Sequence, residues 1–526
     1  MSKRIPNLFN LLLVIYVALG STACSYGLAV IGTTVAQPSF YSSMGLAQSG
    51  EPGYSRTTRY LGAFNGLNAA GAAVGTITNA FIADLLSRKR TISIGAILQI
   101  IGAALCAGAV NVSMFMAGRF ISGWGIGILI SVIPMYQSEI STPEARGFMV
   151  SIHGIMIAIG YTLSGWIGFG VYFITASGST STFPWRFPLA FQIAPVLLLL
   201  VGSPWVPYSP RWLLMKGRKE EALEVMKRLH AKKGETENTD ALREYHQLVR
   251  QVDLDREVVD KRCWYEVVRT PANRRRALIA SLLMWGDMFM GSLVIANYGV
   301  ILFGELGLSG YMPLLCLGIY VTITIPGNTI TALYLDRLGR RTFLLIGTGG
   351  IGLCLVLETL MQGLYMDSTN DAGKRAAIFF IFLYIFFWST CMDATQFVYL
   401  SEIFPTHLRS QGVAVGMFSY FAASIILLVA GPIAMDNIGW RFMLVFAVPT
   451  CCYWFAIYLS VLTLPTPDVY QWANSDASLF PETAGRSLED INAGFGDPVA
   501  VNYFNATAEE IKEFDAVMHV ENANGA

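Results

Sequence analysis

Runs of about twenty apolar residues, parted by short charged turns, recur along nearly the whole chain, each long enough to cross a bilayer as a helix. They fall near 8–32, 60–83, 91–110, 114–136, 147–172 and 187–206, then near 277–303, 311–335, 342–364, 376–400, 410–432 and 441–464. The pattern predicts twelve transmembrane helices in two sets of six. Between the sets, Lys216 to Arg276 is rich in Lys, Arg and Glu, and Leu223, Met226 and Leu229 there have the spacing of a short surface helix. The tail after Pro465 is polar and reads as soluble and weakly ordered. The first run, Leu8 to Gly32, is too long for a signal-peptide core and lacks a convincing cleavage site, so it reads as a retained span.

The turns repeat too. Asp336-Arg337-Leu338-Gly339-Arg340-Arg341 lies between the uncharged runs Tyr311 to Leu335 and Thr342 to Leu357. Asp84-Leu85-Leu86-Ser87-Arg88-Lys89-Arg90 copies it in the first set. Charge this dense between two spans belongs in a tight turn at a membrane surface. Tyr136-Gln137-Ser138-Glu139-Ile140 ends the fourth span and Tyr399-Leu400-Ser401-Glu402-Ile403 the tenth. In each, an arginine follows seven residues after the glutamate, at Arg146 and Arg409. Matching motifs at matching positions mark a parallel internal repeat. The turns holding Arg88 to Arg90, Arg146, Arg211 to Lys219, Arg274 to Arg276, Arg337 to Arg341 and Arg409 share one side with Lys3 and Arg4. Opposite loops are cation-poor, which predicts cytoplasmic termini and a cytoplasmic linker.

Composition narrows the class. The chain is 54% hydrophobic and 14% charged, with mean hydropathy +0.49, where a soluble domain carries about a quarter charged residues. Zero net charge implies no nucleic-acid surface. Seven of the eight cysteines sit in apolar runs and Cys263 in the linker, without disulfide or zinc spacing, so they read as apolar filler. No metal-ligand cluster, nucleophile elbow or phosphate-cradling loop is present, so neither metal, cofactor nor enzyme chemistry is expected. Asn111-Val112-Ser113 is a glycosylation sequon in a loop too short to be modified. Gly71, Gly75, Gly123 and Gly127 have the small-residue spacing of close helix contacts.

Further motifs lie in a fixed order: Gly118-Arg119 with Gly123, Gly125 and Gly127; Pro134 to Gly147; Trp185-Arg186; Pro207 to Leu213; Ser401 to Arg409; and Pro481-Glu482-Thr483 to Leu488-Glu489. With the Asp336 to Arg341 turn, they make the chain similar to the sugar porter family of major facilitator transporters, especially its fungal members, over nearly all of residues 8 to 491. The resemblance implies an all-α membrane protein of twelve transmembrane helices in two six-helix pseudo-symmetric bundles, the major facilitator fold. The bundles would be residues 1–206 and 277–464, with a cytoplasmic linker at 207–276 and a cytoplasmic tail at 465–526. It implies a monomeric carrier in the lipid bilayer of the plasma membrane, moving a hexose, disaccharide or related polyol by alternating access. Uniport and proton symport both stay open. The implied cytoplasmic gate network is Asp84, Arg88, Lys89, Glu139, Arg146, Arg211, Asp336, Arg340, Glu402 and Arg409. Arg88 or Lys89 would reach Glu139, and Arg340 would reach Glu402. The competing reading is simple anchoring by positive-inside arginines.

The departures bear on mechanism. Proton-coupled members usually carry an aspartate after a Gly-Tyr pair in the first span; here Ser25-Tyr26-Gly27 puts glycine there. Its usual partner remains as Arg119, which needs another partner or a hydrated cavity, because a lone arginine at depth costs about 2.5–3.5 kcal/mol or more. Asp287 and Asp393 are intramembrane acids expected to face the cavity and to carry a proton or bind substrate. Glu358 reads as solvated near the outer end of its span. The family's seventh-span Gln-Gln pair falls on Asp287-Met288, its fifth-span glutamine on Gly154 beside His153, and its tenth- and eleventh-span tryptophans on Met392 and Phe421. Asn297, Tyr298, Asn328, Gln396 and Tyr420 are the candidate replacements, against a competing reading as ordinary helix–helix hydrogen bonds. The glutamate usual after Pro207 is Tyr208. Two alternatives stand beside sugar transport: a quinate-like carboxylate received by Arg119, and a non-transporting nutrient receptor.

Overall fold

The computed structural model describes residues 7–48, 50–141, 146–176, 181–230, 266–366, 368, 370–405 and 408–462. It also describes 242, 245–246, 248–250 and 252 of the linker, and 481–483, 491–492 and 495 of the tail. Among the described residues the secondary structure is helical, with no strand. Eleven stretches are long and apolar enough to cross a membrane. The last, Arg409–Leu459, has 51 residues. At about 1.5 Å per residue that is more than twice a bilayer core of about 30 Å. A 3-10 turn at Gly439–Met443 breaks it into Arg409–Ile438 and Leu444–Leu462. The twelve crossings expected from the apolar pattern are therefore all present.

In chain order, spans 1 to 6 are Leu8–Thr34, Tyr54–Leu86, Arg88–Ala107, Val112–Ile140, Phe148–Ile174 and Phe183–Trp205. Spans 7 to 10 are Pro271–Glu305, Met312–Leu338, Arg340–Tyr365 and Asp371–Glu402, and spans 11 and 12 are the two halves of the long stretch. Polar side chains set several starts. Asn111 accepts from the Met114 N–H at 2.8 Å, so the sequon asparagine is a helix cap, and Thr270 caps span 7 through Asn273. Two spans are interrupted at depth. Span 7 breaks between Phe289 and Ser292, where Gly291 has φ +88°, and span 10 carries a π-turn at Ser389–Asp393.

Packing follows the repeat. Span 2 lies on spans 4 and 11, span 8 on span 5, span 1 on spans 5 and 7, and span 9 on spans 10 and 12. Span 1 meets its own counterpart, span 7, and the other two crossing pairs named, 2 with 11 and 8 with 5, are each other's counterparts in the two-fold repeat. The four spaced glycines do what their spacing predicts. A Cβ at Gly71 or Gly75 would run into the backbone of span 4, and one at Gly123 or Gly127 into the carbonyls of Asn68 and Ala72 on span 2. The backbones touch there, and lipid cannot substitute for that contact. Phe81, Leu198, Leu353, Phe379, Ile426 and Phe455 stay exposed on the rim, as an apolar surrounding solvent requires.

In the linker, Lys219–His230 forms the expected surface helix, burying Met226 and Leu229. The seven described cysteines are free; Cys263 lies outside the described residues. In the tail, Pro481 to Thr483 is tied to the bundle, as described next.

Candidate functional site

The two cytoplasmic turns fold alike. Arg88 begins span 3, two residues past the end of span 2, and is only 3% exposed. Its Nη1 donates to Asp84 Oδ1 at 2.8 Å, while Nε and Nη2 donate to Glu139 Oε1 at 3.1 and 2.8 Å. In the second half Arg340 repeats this, pairing with Asp336 at 2.9 Å and with both oxygens of Glu402 at 3.1 and 2.8 Å. Burying an arginine is tolerable only with such charge-assisted partners. The Arg88–Asp84 and Arg340–Asp336 pairs stay within their turns. The pairs to Glu139 and Glu402 join each turn to the fourth or tenth span of its own half, so these pairs brace the halves rather than bridge them. A contact that does cross is Ser410 Oγ on span 11, donating to Asp84 Oδ2 at 2.6 Å.

Other expected members go elsewhere or add to the network. Lys89 does not reach Glu139: its Nζ donates to the Pro204 carbonyl at 2.7 Å and lies 5.1 Å over the Tyr208 ring. Adjacent residues at a helix start point about 100° apart, and only Arg88 faces span 4. Arg211 and Arg409 are buried at the same surface, at 9% and 3% exposure. The side chain of Arg146 lies outside the described residues. Glu482 in the tail accepts from the backbone N–H groups of Arg340 and Arg341, both at 2.9 Å, and Thr483 Oγ1 donates to Glu402 Oε2 at 2.7 Å. The sequence showed the Pro481-Glu482-Thr483 motif without assigning it a place; it caps the start of span 9 with a carboxylate.

Between the halves lies a narrow crevice, too tight for a water molecule, lined by Leu28, Asn65, Asn68, Ala69, Leu293, Asn297, Phe421 and Leu428. Asn297 and Phe421 were expected here; Asn65 and Asn68 were not. Their signal was two amides three residues apart inside an apolar span. Asn68 Oδ1 and Asn297 Oδ1 are buried without a hydrogen-bond partner. Tyr298 joins the halves, accepting from Asn65 Nδ2 at 2.9 Å and donating to the Leu428 carbonyl at 2.7 Å. A Cβ at Gly32 would meet the Ala296 carbonyl at 2.8 Å, and one at Gly154 would meet Asn328 Oδ1 at 2.7 Å. Above and below the crevice the halves therefore touch closely, and the centre is shut from both sides.

A second cluster gathers the intramembrane acids. Asp287 and Asp393 are buried at 0% and 3% exposure. Trp388 Nε1 donates to Asp287 Oδ1 and Asn328 Nδ2 to Asp393 Oδ2, both at 2.8 Å. Gln396 faces Asp287, and Tyr420, buried against Phe421 at 5.1 Å, is close enough to feel both carboxyls. The aromatic that meets this pocket is thus Trp388, one turn before Met392. His153 stays outside the cluster: its Nδ1 shares a 2.7 Å hydrogen bond with Ser21, and its ring packs edge-on to Phe397 at 4.9 Å.

Arg119 stands apart within the first half. It donates to the carbonyls of Gly27 at 3.0 Å and Phe64 at 3.3 Å, so backbone oxygens at and near the missing aspartate replace that acid. Glu358 corrects an expectation. It is 1% exposed, not solvated, and accepts a hydrogen bond from Gln362 one turn on, because the rotation of span 9 turns it inward. No group of metal-ligating side chains occurs among the described residues.

Two pseudo-symmetric six-helix bundles, braced by duplicated acid–base turns around a closed polar centre, define a major facilitator carrier. The family model described as "Sugar (and other) transporter" matches residues 13–495. An MFS-type transporter of Aspergillus cristatus (criB) is 28% identical over 488 residues, covering 93% of each chain. The high-affinity glucose transporter of Kluyveromyces lactis is 28% identical, covering 94% of this chain and 87% of its own. Among solved structures, the E. coli proton:xylose symporter XylE bound to 6-bromo-6-deoxy-D-glucose superposes with a TM-score of 0.76 at 23% identity, over 93% of this chain and 99% of its own. The chain belongs to the Sugar (and other) transporter family, whose members are membrane transporters and not enzymes.

Proposed function

We propose that the protein carries a neutral polyhydroxylated solute, a sugar or related polyol, across the plasma membrane by alternating access. The observation that carries this reading is the crevice lining. Three asparagines and Phe421 face one gap between the halves, and two of the amide oxygens have no protein partner. Buried acceptors left bare cost about 1–3 kcal/mol each, a penalty that substrate hydroxyls would remove. No charged side chain lines the crevice, and Nε and Nη1 of Arg119 are taken by backbone carbonyls of the first half, which weighs against a carboxylate substrate. A relative named as a glucose transporter fits the same reading.

The bundles at 1–206 and 277–464 act as the two rocking units, with 207–276 linking them and 465–526 as the tail. One chain supplies both walls of the site, so a monomer suffices. Loop cations favour cytoplasmic termini. Asp84, Arg88, Glu139, Arg211, Asp336, Arg340, Glu402 and Arg409 form the cytoplasmic network that Ser410 and the Pro481 to Thr483 segment complete. Uptake across a panel of sugars, polyols and quinate in transporter-null cells, with counterflow in proteoliposomes, tests the proposal. Counterflow of a sugar or polyol is the expected result. Exclusive transport of quinate, or no counterflow of any solute, would overturn it.

A further inference from the structure

Carboxyl groups at depth are distributed unequally between the halves. In spans 1 to 6 the acids are Asp84 and Glu139, both committed to Arg88 at the cytoplasmic end. The first half also buries Arg119 with no acid beside it. The second half buries Asp287 and Asp393, and among the described residues neither pairs with a cation. The groups facing them are uncharged or acidic at neutral pH: Tyr161 of span 5, Tyr384 of span 10, Tyr420 of span 11 and Tyr453 of span 12, besides each other. His153 is held outside the cluster, with Nδ1 on Ser21 and its ring edge-on to Phe397. Asp287 accepts a hydrogen bond from Trp388, on the same stretch of span 10 that carries Asp393. A dry ionised carboxylate without a counter-charge is costly at depth, so the closed state favours protonated carboxyls.

Each acid also sits where its helix is interrupted. Asp287 lies just before the break in span 7; beyond Gly291 the outer piece, Ser292–Glu305, carries Leu293 and Asn297 to the crevice. Asp393 ends the π-turn of span 10, and its partner Asn328 abuts Gly154 of the opposite half. Helix breaks at depth are where bending absorbs a conformational change. A swing of the outer piece of span 7 therefore moves substrate contacts and alters the hydration of Asp287 together.

We propose that Asp287 and Asp393 form a shared proton site that couples transport to a proton gradient, in the half opposite Arg119. In the outward-open state a carboxylate oxygen takes a proton from external hydronium, releasing water. With substrate bound the pair is neutral enough to pass through the closed state. In the inward-open state the O–H bond breaks to cytoplasmic water, and one proton has crossed with each substrate molecule. This rests on the carrier function proposed above.

The test is purified protein in vesicles loaded with a pH-sensitive dye, given an inward sugar or polyol gradient, with counterflow measured on the same vesicles. Wild type is expected to acidify the lumen by about one proton per substrate molecule, as a stoichiometric relay requires. The ratio should fall to near zero in Asp287→Asn and Asp393→Asn, whatever rate remains. It should persist in Glu358→Gln, which alters a buried acid of span 9, and return in Asp287→Glu or Asp393→Glu. Wild-type counterflow without acidification overturns the coupling and leaves the carrier reading intact. Acidification that persists in both asparagine variants overturns the assignment to this pair. Absence of all counterflow overturns the carrier reading itself.

Discussion

Ser410→Ala removes one oxygen and isolates the contact that ties span 11 to the span 2 turn. The hydroxyl sits 2.6 Å from Asp84 Oδ2, and a hydrogen bond to a charged group contributes about 1.5–3 kcal/mol. Asp84 keeps Arg88 at 2.8 Å and its side chain is 22% exposed, so water can replace the serine and the lower end applies. About 1.5 kcal/mol is roughly tenfold in the balance between closed and open cytoplasmic faces. Val150 offers the reporter: on span 5 it packs against Leu335, Phe343 and Val398 of the other half, all at most 4% exposed. In a background without native cysteines, Val150→Cys should react with a maleimide only when the halves part. Adding Ser410→Ala should speed alkylation about tenfold. An unchanged rate in folded, transporting protein would refute the idea that this contact holds the inner face shut.

Three other expectations follow from burial and contact. Glu139→Gln leaves Arg88 with Asp84 as its remaining acid, so the cost falls below that of a fully broken buried pair, about 3–5 kcal/mol; thermal melting should drop by a few degrees, and the double variant Arg88→Leu/Glu139→Leu should lose less. Asn297→Leu deletes an amide from the crevice and should raise KM for the transported sugar about two- to tenfold, the equivalent of about 0.5–1.5 kcal/mol, read by initial-rate uptake at matched protein levels. Gly127→Val places a side chain on the Ala72 carbonyl and should abolish monodisperse protein in size-exclusion chromatography, while the same change at Gly170, where a Cβ meets nothing, should not.

What could be read from the chain was what the bilayer imposes. Lipid demands long apolar runs and tolerates charge only at turns or with partners, so the spans, the twin turns and the pairing of Glu139 and Glu402 were all visible. What could not be read was rotation about each helix axis and the exact winding at depth. Arg88 and Lys89 are neighbours in sequence, yet only one faces span 4. Glu358 looked peripheral until the face of span 9 was known. The π-turn at Ser389–Asp393 changes the winding of span 10 where a residue-by-residue carry-over placed Met392, and Trp388 meets the acid instead. Asn65 and Asn68 escaped notice because amides in a span are as often ordinary packing as lining.

The two cytoplasmic bends share one backbone shape with different occupants. Ser87 has φ +92° and ψ +154°, and Gly339 has φ +87° and ψ +152°. Those angles suit glycine, and a serine held there stores about 1–3 kcal/mol of torsional tension. Ser87→Gly, copying the sister bend, should raise the melting temperature, and the first bundle should then unfold later than it does in the natural chain. The unequal twins make this bend a natural starting point for hardening the carrier against detergent.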